Sequence, residues 1–333
     1  MPKVDRANPV RSKSAESSYS LMEFMQAFPD DEACLQWLWR TRFSEDGQHA
    51  HCEKCKQERL FKRYVTKQKR PSWTCTGCGR HVSVTKDTIY EGSATSLHLW
   101  FYAGYLLTST RCGISAKQLE REIGVTYKTA WRMLNNLRTI AMADDTGPLS
   151  GDVEVDEASV DGKPRKPQGQ HRSIAVGPDK RRKEYRRSEA VKLRERSRAT
   201  VFAAVERGGR IKATVLPTRH GPGLKKQVIE WVEPTSIIFT DEWSSYNGLD
   251  RDFIAHSRIN HSAGFYVQGD THTNTIEGFF GHLKPSIRGT YRKVSHRWLQ
   301  GYLNEFVWRR NARLEPEAMF KQLLLRAAVV RPS

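Results

Sequence analysis

The chain has 333 residues, which is enough for two or three domains at roughly 100–200 residues each. It carries 55 Lys and Arg residues against 37 Asp and Glu residues. This net charge of +18 favours a polyanionic partner, with DNA or RNA ahead of an anionic membrane surface. No run of about 18 apolar residues could span a bilayer, and the polar N-terminus lacks the apolar core of a secretory signal. We therefore expect a cytoplasmic protein whose six cysteines stay reduced.

The N-terminal part of the chain is predicted to be a disordered lead followed by two helices. Residues 1–19 are basic and contain few apolar residues, which is typical of a disordered segment. Apolar residues then recur at helical spacing from Leu21 to Phe43, and Pro29-Asp30-Asp31 divides this stretch into two helices, the second capped by an aspartate. We group these helices with the polar, cysteine-bearing segment that follows into one region, residues 20–92.

Two Cys-x-x-Cys pairs lie in this region. Cys52 and Cys55 form the first pair, and Cys75 and Cys78 form the second. Two such pairs at this separation are typical of a structural zinc site with four thiolate ligands. A redox role is less favoured, because no thioredoxin-like pattern of strands and helices surrounds either pair. The sequence therefore predicts a zinc ribbon that holds one structural Zn²⁺.

A helix-turn-helix is predicted within residues 93–147, which we expect to form an all-α DNA-binding domain. An amphipathic helix over residues 114–123 is followed by a turn at Gly124 and by a second helix, residues 126–137, capped by Thr126. An ordinary helical hairpin would share this pattern, but the adjacent zinc ribbon and the basic composition favour DNA binding. The residues that the second helix would present to DNA are Tyr127, Lys128, Thr129, Arg132 and Asn135.

From Asp152 onward the sequence is typical of an α/β domain. We expect this domain to cover residues 152–315, with a mixed sheet and a long basic insertion over residues 163–198. Residues 316–333 are expected to form a C-terminal helix. Short apolar runs predict four strands, at residues 153–156, 199–206, 211–216 and 236–241. Helical patterns predict three helices in this domain, at residues 224–232, 273–284 and 294–313.

Two aspartates stand at the ends of predicted buried strands. Asp156 ends the first strand and Asp241 ends the fourth. Burial of a carboxylate is unfavourable without a partner, and two on neighbouring strands would repel each other unless a cation lies between them. Mg²⁺ (or Mn²⁺) binds carboxylate oxygens readily. Glu277, on the predicted helix that we expect to end at Pro285, could complete a site for two ions about 3.5–4 Å apart.

The third ligand has an alternative on the same helix. Asn274, Glu277 and Lys284 are spaced so that they share one helix face. Asn274 could therefore be the ligand in place of Glu277, or could support it, while Lys284 could steer the DNA backbone towards the ions. Glu154 points to the same face of its strand as Asp156 and could also substitute as a ligand, although we favour it less.

Three segments of the chain resemble the catalytic segments of a known protein family. They are Val-Glu-Val-Asp-Glu at residues 153–157, Thr-Asp-Glu-Trp-Ser-Ser-Tyr at 240–246, and His-Thr-Asn-Thr-Ile-Glu-Gly-Phe-Phe at 272–280, which Leu-Lys follows at 283–284. Together they resemble bacterial insertion-sequence transposases that have an N-terminal zinc ribbon and a DDE catalytic domain, the ISXO-like group. The resemblance runs from about residue 20 to residue 320, and one departure is Ala-Ser-Val-Asp at 158–161.

This resemblance implies a ribonuclease-H-like core and magnesium-dependent DNA cleavage and strand transfer at the inverted repeats that end the element. It implies that Asp156 and Asp241 are the first two metal ligands and that Glu277 or Asn274 is the third. Lys284 matches a basic residue of the family, seven positions after the glutamate. The implied partners are double-stranded DNA, at the element ends and the target, and further copies of the chain on that DNA, with no membrane.

Two other functions fit the same residues. A DNA-binding regulator would keep the fold without catalysis, and a nuclease would cleave DNA without joining it. The presence of all three acidic positions favours the transposase, which we expect in the bacterial cytoplasm, associated with the nucleoid through its DNA.

Overall fold

The computed structural model describes residues 19–65, 71–143, 147–160, 199–216, 222–241, 243–259, 273–315 and 317–329. The chain divides into two compact units: Met1–Ala143 with Glu315–Ser333 form the first, and Asp144–Leu314 form the second. Apart from Tyr19, the predicted disordered lead lies outside the described residues, as does the predicted basic insertion. Within the described residues, no helix is long and apolar enough to cross a membrane.

The first unit begins with two helices that are separated as the sequence predicts. Helices α1 (Leu21–Ala27) and α2 (Asp31–Arg42) meet at a break that contains Asp30. The side chain of Asp30 accepts a hydrogen bond of 2.8 Å from the backbone N–H of Ala33. This bond satisfies one of the N–H groups that every helix leaves unpaired at its start, so the aspartate sets where α2 begins.

A four-stranded antiparallel sheet follows these helices, with its strands in sequence order. The strands are β1 (His49–Cys52), β2 (Gln57–Val65), β3 (Pro71–Cys75) and β4 (His81–Val82). Trp39 of α2 stacks on Trp73 of β3, with ring centroids 5.0 Å apart and planes within 8° of parallel. Both rings are fully buried, so α2 and the small sheet share one core.

The C-terminal helix belongs to the first unit. Helix α3 (Leu97–Ser109) packs against the last helix of the chain, Met319–Ala328. Phe320 of this last helix is fully buried, and its ring lies 5.6 Å from that of Phe24 and 5.8 Å from that of Tyr105. The last helix therefore shares one aromatic core with α1 and α3.

The second unit contains the predicted mixed sheet. Its strands are β5 (Asp152–Val160), β6 (Ala199–Glu206), β7 (Ile211–Leu216), β8 (Ile237–Asp241) and β9 (Ala255–Ile259), in the order β7-β6-β5-β8-β9. Strands β5, β6 and β7 are antiparallel neighbours, whereas β8 runs parallel to both β5 and β9. The four predicted strands are all present. Strand β9 was not predicted, because its sequence, Ala-His-Ser-Arg-Ile, lacks an apolar run.

Helices cover both faces of this sheet. Helix α6 (Pro222–Trp231) packs on one face, and α7 (Asn274–Gly289) with α8 (His296–Ala312) packs on the other. We expected α7 to end at Pro285, and that prediction was wrong. Proline removes one backbone hydrogen bond from a helix, but Ile287, which follows it, is buried in the core shared with β5 and β6, and this packing extends the helix.

We number the last helix, Met319–Ala328, as α9. Its contribution to the aromatic core of the first unit can be tested. Phe320→Ala removes a fully buried ring, so we expect the free energy of unfolding of the first unit to fall by about 3–5 kcal/mol. Urea unfolding followed by tryptophan fluorescence measures this change. Leu325→Ala is the control, since Leu325 is on the same helix but 46% exposed. Equal losses in the two variants would contradict the assigned packing.

Candidate active site

The register of the second sheet places Asp156 beside Asp241. Strand β5 pairs with β8 from Asp152 opposite Ile237 to Glu154 opposite Phe239. Two residues further along each strand, the two aspartates stand side by side. Asp241 ends β8 as predicted, but β5 continues to Val160, so Asp156 lies inside its strand rather than at the end. The pairing of β5 with β8 ends at Glu154, before Asp156.

Three carboxylates converge at this point of the sheet. Asp156, Glu157 and Asp241 each place one oxygen within 4.8 Å of the others. The backbone N–H of Glu157 donates to Oδ1 of Asp156 at 2.7 Å, and the backbone N–H of Trp243 donates to Oδ1 of Asp241 at 3.0 Å. Backbone groups therefore fix the orientation of both aspartates.

This crowding changes the acidity of Asp156. Burial first, and then the negative charges of Glu157, Asp241 and Glu277, raise the pKa of its carboxyl group to about 7, against the opposing effect of the hydrogen bond from the Glu157 amide. The ionised cluster is therefore unfavourable by itself and becomes favourable with a cation. Carboxylate oxygens are the donors that Mg²⁺ and Mn²⁺ prefer, so this donor set fits a divalent ion.

Glu157 and Tyr246 are members of the site that sequence reasoning missed. The fully buried Tyr246 donates its phenol hydrogen to Oε2 of Glu157. Burial first, and then the charge of Glu157, raises the pKa of this phenol well above its ordinary value, so it stays protonated and remains a donor. The sequence did contain a signal for Glu157. It continues the alternation of Val153 and Val155, which face the core, so a charged side chain is expected to be buried there.

Helix α7 carries the remaining predicted ligands. Glu277 is exposed, and its carboxylate accepts a hydrogen bond of 3.2 Å from the hydroxyl group of Thr273. It lies outside the group of three converging carboxylates, although its charge contributes to the raised pKa of Asp156. Asn274 is the exposed first residue of α7. Lys284 is half-buried further along the helix, with Nζ 5.7 Å from the centre of the Phe280 ring.

The four predicted cysteine ligands lie together in the first unit. Sγ of Cys52 is 3.6 Å from Sγ of Cys78, and Sγ of Cys55 is 3.9 Å from Sγ of Cys75. All four sulfur atoms lie within 4.8 Å of one another. The backbone N–H of Cys55 lowers the pKa of the Cys52 thiol, which favours the thiolate that binds metals. The cluster could therefore bind a metal ion, and its four sulfur donors fit tetrahedral coordination.

The predicted helix-turn-helix residues also lie in the first unit. Helices α4 (Ala116–Ile123) and α5 (Tyr127–Asn136) are joined through Gly124, whose φ of 68° is a conformation that glycine adopts without strain. The predicted DNA-contacting side chains differ in exposure. Tyr127 is 51% exposed. Lys128 and Arg132 are also exposed, whereas Thr129 and Asn135 are half-buried.

The segment that contains the converging aspartates matches a known domain family. Residues 148–311 match the family model of the ISXO2-like transposase domain. The chain therefore contains an ISXO2-like transposase domain over these residues. The family match includes Asp156, Asp241 and Glu277, so the three predicted acidic ligands all lie within the transposase domain.

Two relatives come from transposable elements or are named for them. A protein of the transposable element ISH50 of Halobacterium salinarum is 28% identical over 287 residues, which are 84% of this chain and 91% of that protein. A transposase-like protein of Haemophilus influenzae is 28% identical over 122 residues, which are 36% of this chain and 98% of that protein. No solved structure matches the chain.

The raised pKa of Asp156 predicts how stability depends on pH without divalent ions. The folded group ionises near pH 7 and the ordinary group near pH 3.8, so its contribution to stability falls between these values and stays low above pH 7. This difference corresponds to roughly 4 kcal/mol. Asp156→Asn keeps the acceptor for the Glu157 amide but removes the charge. In magnesium-free buffer, calorimetry should show a larger gain in stability over the unsubstituted chain at pH 8 than at pH 5. A constant difference at both pH values would contradict this account.

The cysteine cluster predicts a metal content of about one zinc per chain. Cys78→Ser removes one sulfur donor, so we expect the purified variant to lose most of its zinc and the stability of the small sheet. Elemental analysis measures the zinc, and Cys112→Ser is the control because Cys112 is exposed and outside the cluster. Full zinc content in the Cys78 variant would rule out the four-thiolate site.

Proposed function

We propose that the chain is a DDE-type transposase that binds the terminal inverted repeats of its insertion sequence and catalyses divalent-metal-dependent DNA cleavage and strand transfer. The observation that carries this proposal is the convergence of Asp156 and Asp241 inside a transposase domain. The mixed five-stranded sheet, with helices on both faces, supports the ribonuclease-H-like core that the sequence resemblance implies.

The catalytic ions would be held by Asp156 and Asp241, with Glu277 or Asn274 as the third ligand. When bound at such carboxylates, divalent ions supply activation of the attacking water or hydroxyl group and stabilisation of the leaving oxygen. The backbone N–H bonds to Asp156 and Asp241 hold both ligands in place before the substrate arrives. Lys284, on the same helix as Glu277, would bind the DNA backbone.

DNA recognition is assigned to the first unit. The exposed side chains of Tyr127, Lys128 and Arg132 on α5 support contact with DNA, and Thr129 and Asn135 lie on the same helix. One structural Zn²⁺ on the four cysteines would hold the small sheet together. The charge of +18 would make binding strongly dependent on salt, because neutralised phosphates release their counterions. Joining two element ends requires more than one active site, so we propose a homo-oligomer on DNA in the bacterial cytoplasm.

A strand-transfer assay tests the catalytic assignment. With labelled terminal DNA, target plasmid and Mg²⁺, Asp156→Ala and Asp241→Ala should each lose cleavage and joining by a factor of about 1,000 or more while DNA binding survives. Glu230→Ala, which changes an exposed acidic residue of α6, should keep both steps. Cleavage that persists in either aspartate variant would contradict the whole assignment.

The same assay separates the other functions and the third ligand. Cleavage without joined product in the unsubstituted chain would identify a nuclease, and binding alone would identify a DNA-binding regulator. Asn274→Ala and Glu277→Ala, compared side by side, identify the third ligand as the position whose loss abolishes both steps. If Glu277 is the ligand, the Asn274 variant should retain measurable cleavage.

A further inference from the structure

Glu154 is a fully buried carboxylate in β5, two residues before Asp156. Its Oε2 atom accepts hydrogen bonds from the backbone N–H groups of Thr275 at 2.9 Å and Ile276 at 3.0 Å. Its Oε1 atom accepts from the Thr275 hydroxyl at 3.0 Å and from Nε of Arg207 at 3.1 Å. A carboxylate has about four acceptor positions, so these four donors occupy its capacity. This saturation argues against Glu154 as a metal ligand.

The donors from Thr275 and Ile276 belong to the first turn of α7. Helices leave their first N–H groups unpaired, and a residue just before the helix usually supplies an acceptor. Thr273, at that position, makes no capping hydrogen bond. Glu154 supplies the acceptor instead, from a strand more than 100 residues earlier in the chain. Its negative charge also complements the positive end of the helix dipole.

Arg207 compensates the buried charge on the other side. Besides its bond to Glu154, its guanidinium lies 3.8 Å from the centre of the Phe239 ring on β8. The carboxylate therefore connects three elements: the strand that carries Asp156, the start of α7, and, through Arg207, the strand that ends in Asp241. Removal of one partner from such a buried pair is strongly unfavourable, so the carboxylate and Arg207 should stay together in the folded chain.

We propose that Glu154 is a positioning residue for the transfer reaction. It fixes the first turn of α7 against β5, and so sets the distance of Glu277 and Asn274 from Asp156. Glu277 directly follows Ile276, whose N–H group Glu154 binds. This inference rests on the proposed function, because it assigns Glu154 a role at the same metal centre. A shift of about 1 Å in a catalytic group can lower a rate by about 100-fold, so a small movement of α7 should be measurable.

The chain offers a matched control for a purely structural role. Glu305 of α8 is also fully buried, pairs with Nε of Arg309 at 3.2 Å and accepts from the phenol of Tyr291. It makes a comparable buried ion pair on a different helix. Glu305→Gln should therefore lose stability as Glu154→Gln does, without moving the first turn of α7.

The experiment compares Glu154→Gln with Glu305→Gln by two readouts. Calorimetric titration with Mn²⁺ should show affinity about tenfold weaker in the Glu154 variant and unchanged in the Glu305 variant. Single-turnover cleavage, with enzyme in excess over DNA and Mn²⁺ saturating, should fall by about 100-fold in the Glu154 variant only, with the Kd for DNA unchanged. Thr275→Val removes one donor and keeps both N–H groups, so a several-fold fall in rate is expected even if Glu154→Gln does not fold.

The outcomes separate this inference from the proposed function. Unchanged Mn²⁺ affinity and cleavage rate in both the Glu154 and Thr275 variants would overturn the positioning role. Asp156→Ala, measured beside them, tests the metal centre itself. If Asp156→Ala abolishes Mn²⁺ binding while Glu154→Gln behaves like Glu305→Gln, the inference fails and the proposed function stands. If Asp156→Ala binds Mn²⁺ and cleaves normally, both fail.

Discussion

The repulsion between Asp156 and Asp241 is the constraint on which the second unit depends. Parallel register between β5 and β8 places these carboxylates side by side, and Glu157 adds a third charge at the same point. Apolar cores on both faces of the sheet stabilise the strands against this repulsion. A cation at this point would relieve the repulsion, so the backbone geometry of the fold supplies a group of carboxylates that could hold a metal ion.

Glu154 and Asp156 lie two residues apart on one strand, and their carboxylates have different neighbours. For Glu154, the first turn of α7 and Arg207 supply four hydrogen-bond donors, so the charge is balanced within the chain. For Asp156, the nearby groups include a single backbone donor and three other carboxylates. One strand thus carries a carboxylate with donors from the chain itself and another that could bind a cation, and the difference follows from their neighbours and not from their residue type.

The sequence allowed the grouping of the two aspartates, the grouping of the four cysteines and four of the five strands of the second sheet to be predicted, because apolar runs and Cys-x-x-Cys spacing are local patterns. What could not be predicted depends on contacts between distant segments. Strand β9 is formed by pairing with β8 despite its polar composition. Helix α7 passes Pro285 because Ile287 packs on the sheet. The roles of Glu157 and Glu154 depend on Tyr246, which is 89 residues from Glu157 in the chain, and on the start of α7.

The return of α9 to the N-terminal unit has a consequence for the order of events during synthesis. The whole second unit is synthesised before Phe320. The aromatic residues around Phe24 are therefore covered only at the end of translation. A nascent or prematurely ended chain can complete its acidic centre while the unit that carries α5 still lacks part of its core. Only a finished polypeptide therefore has a complete core in the first unit as well as in the second.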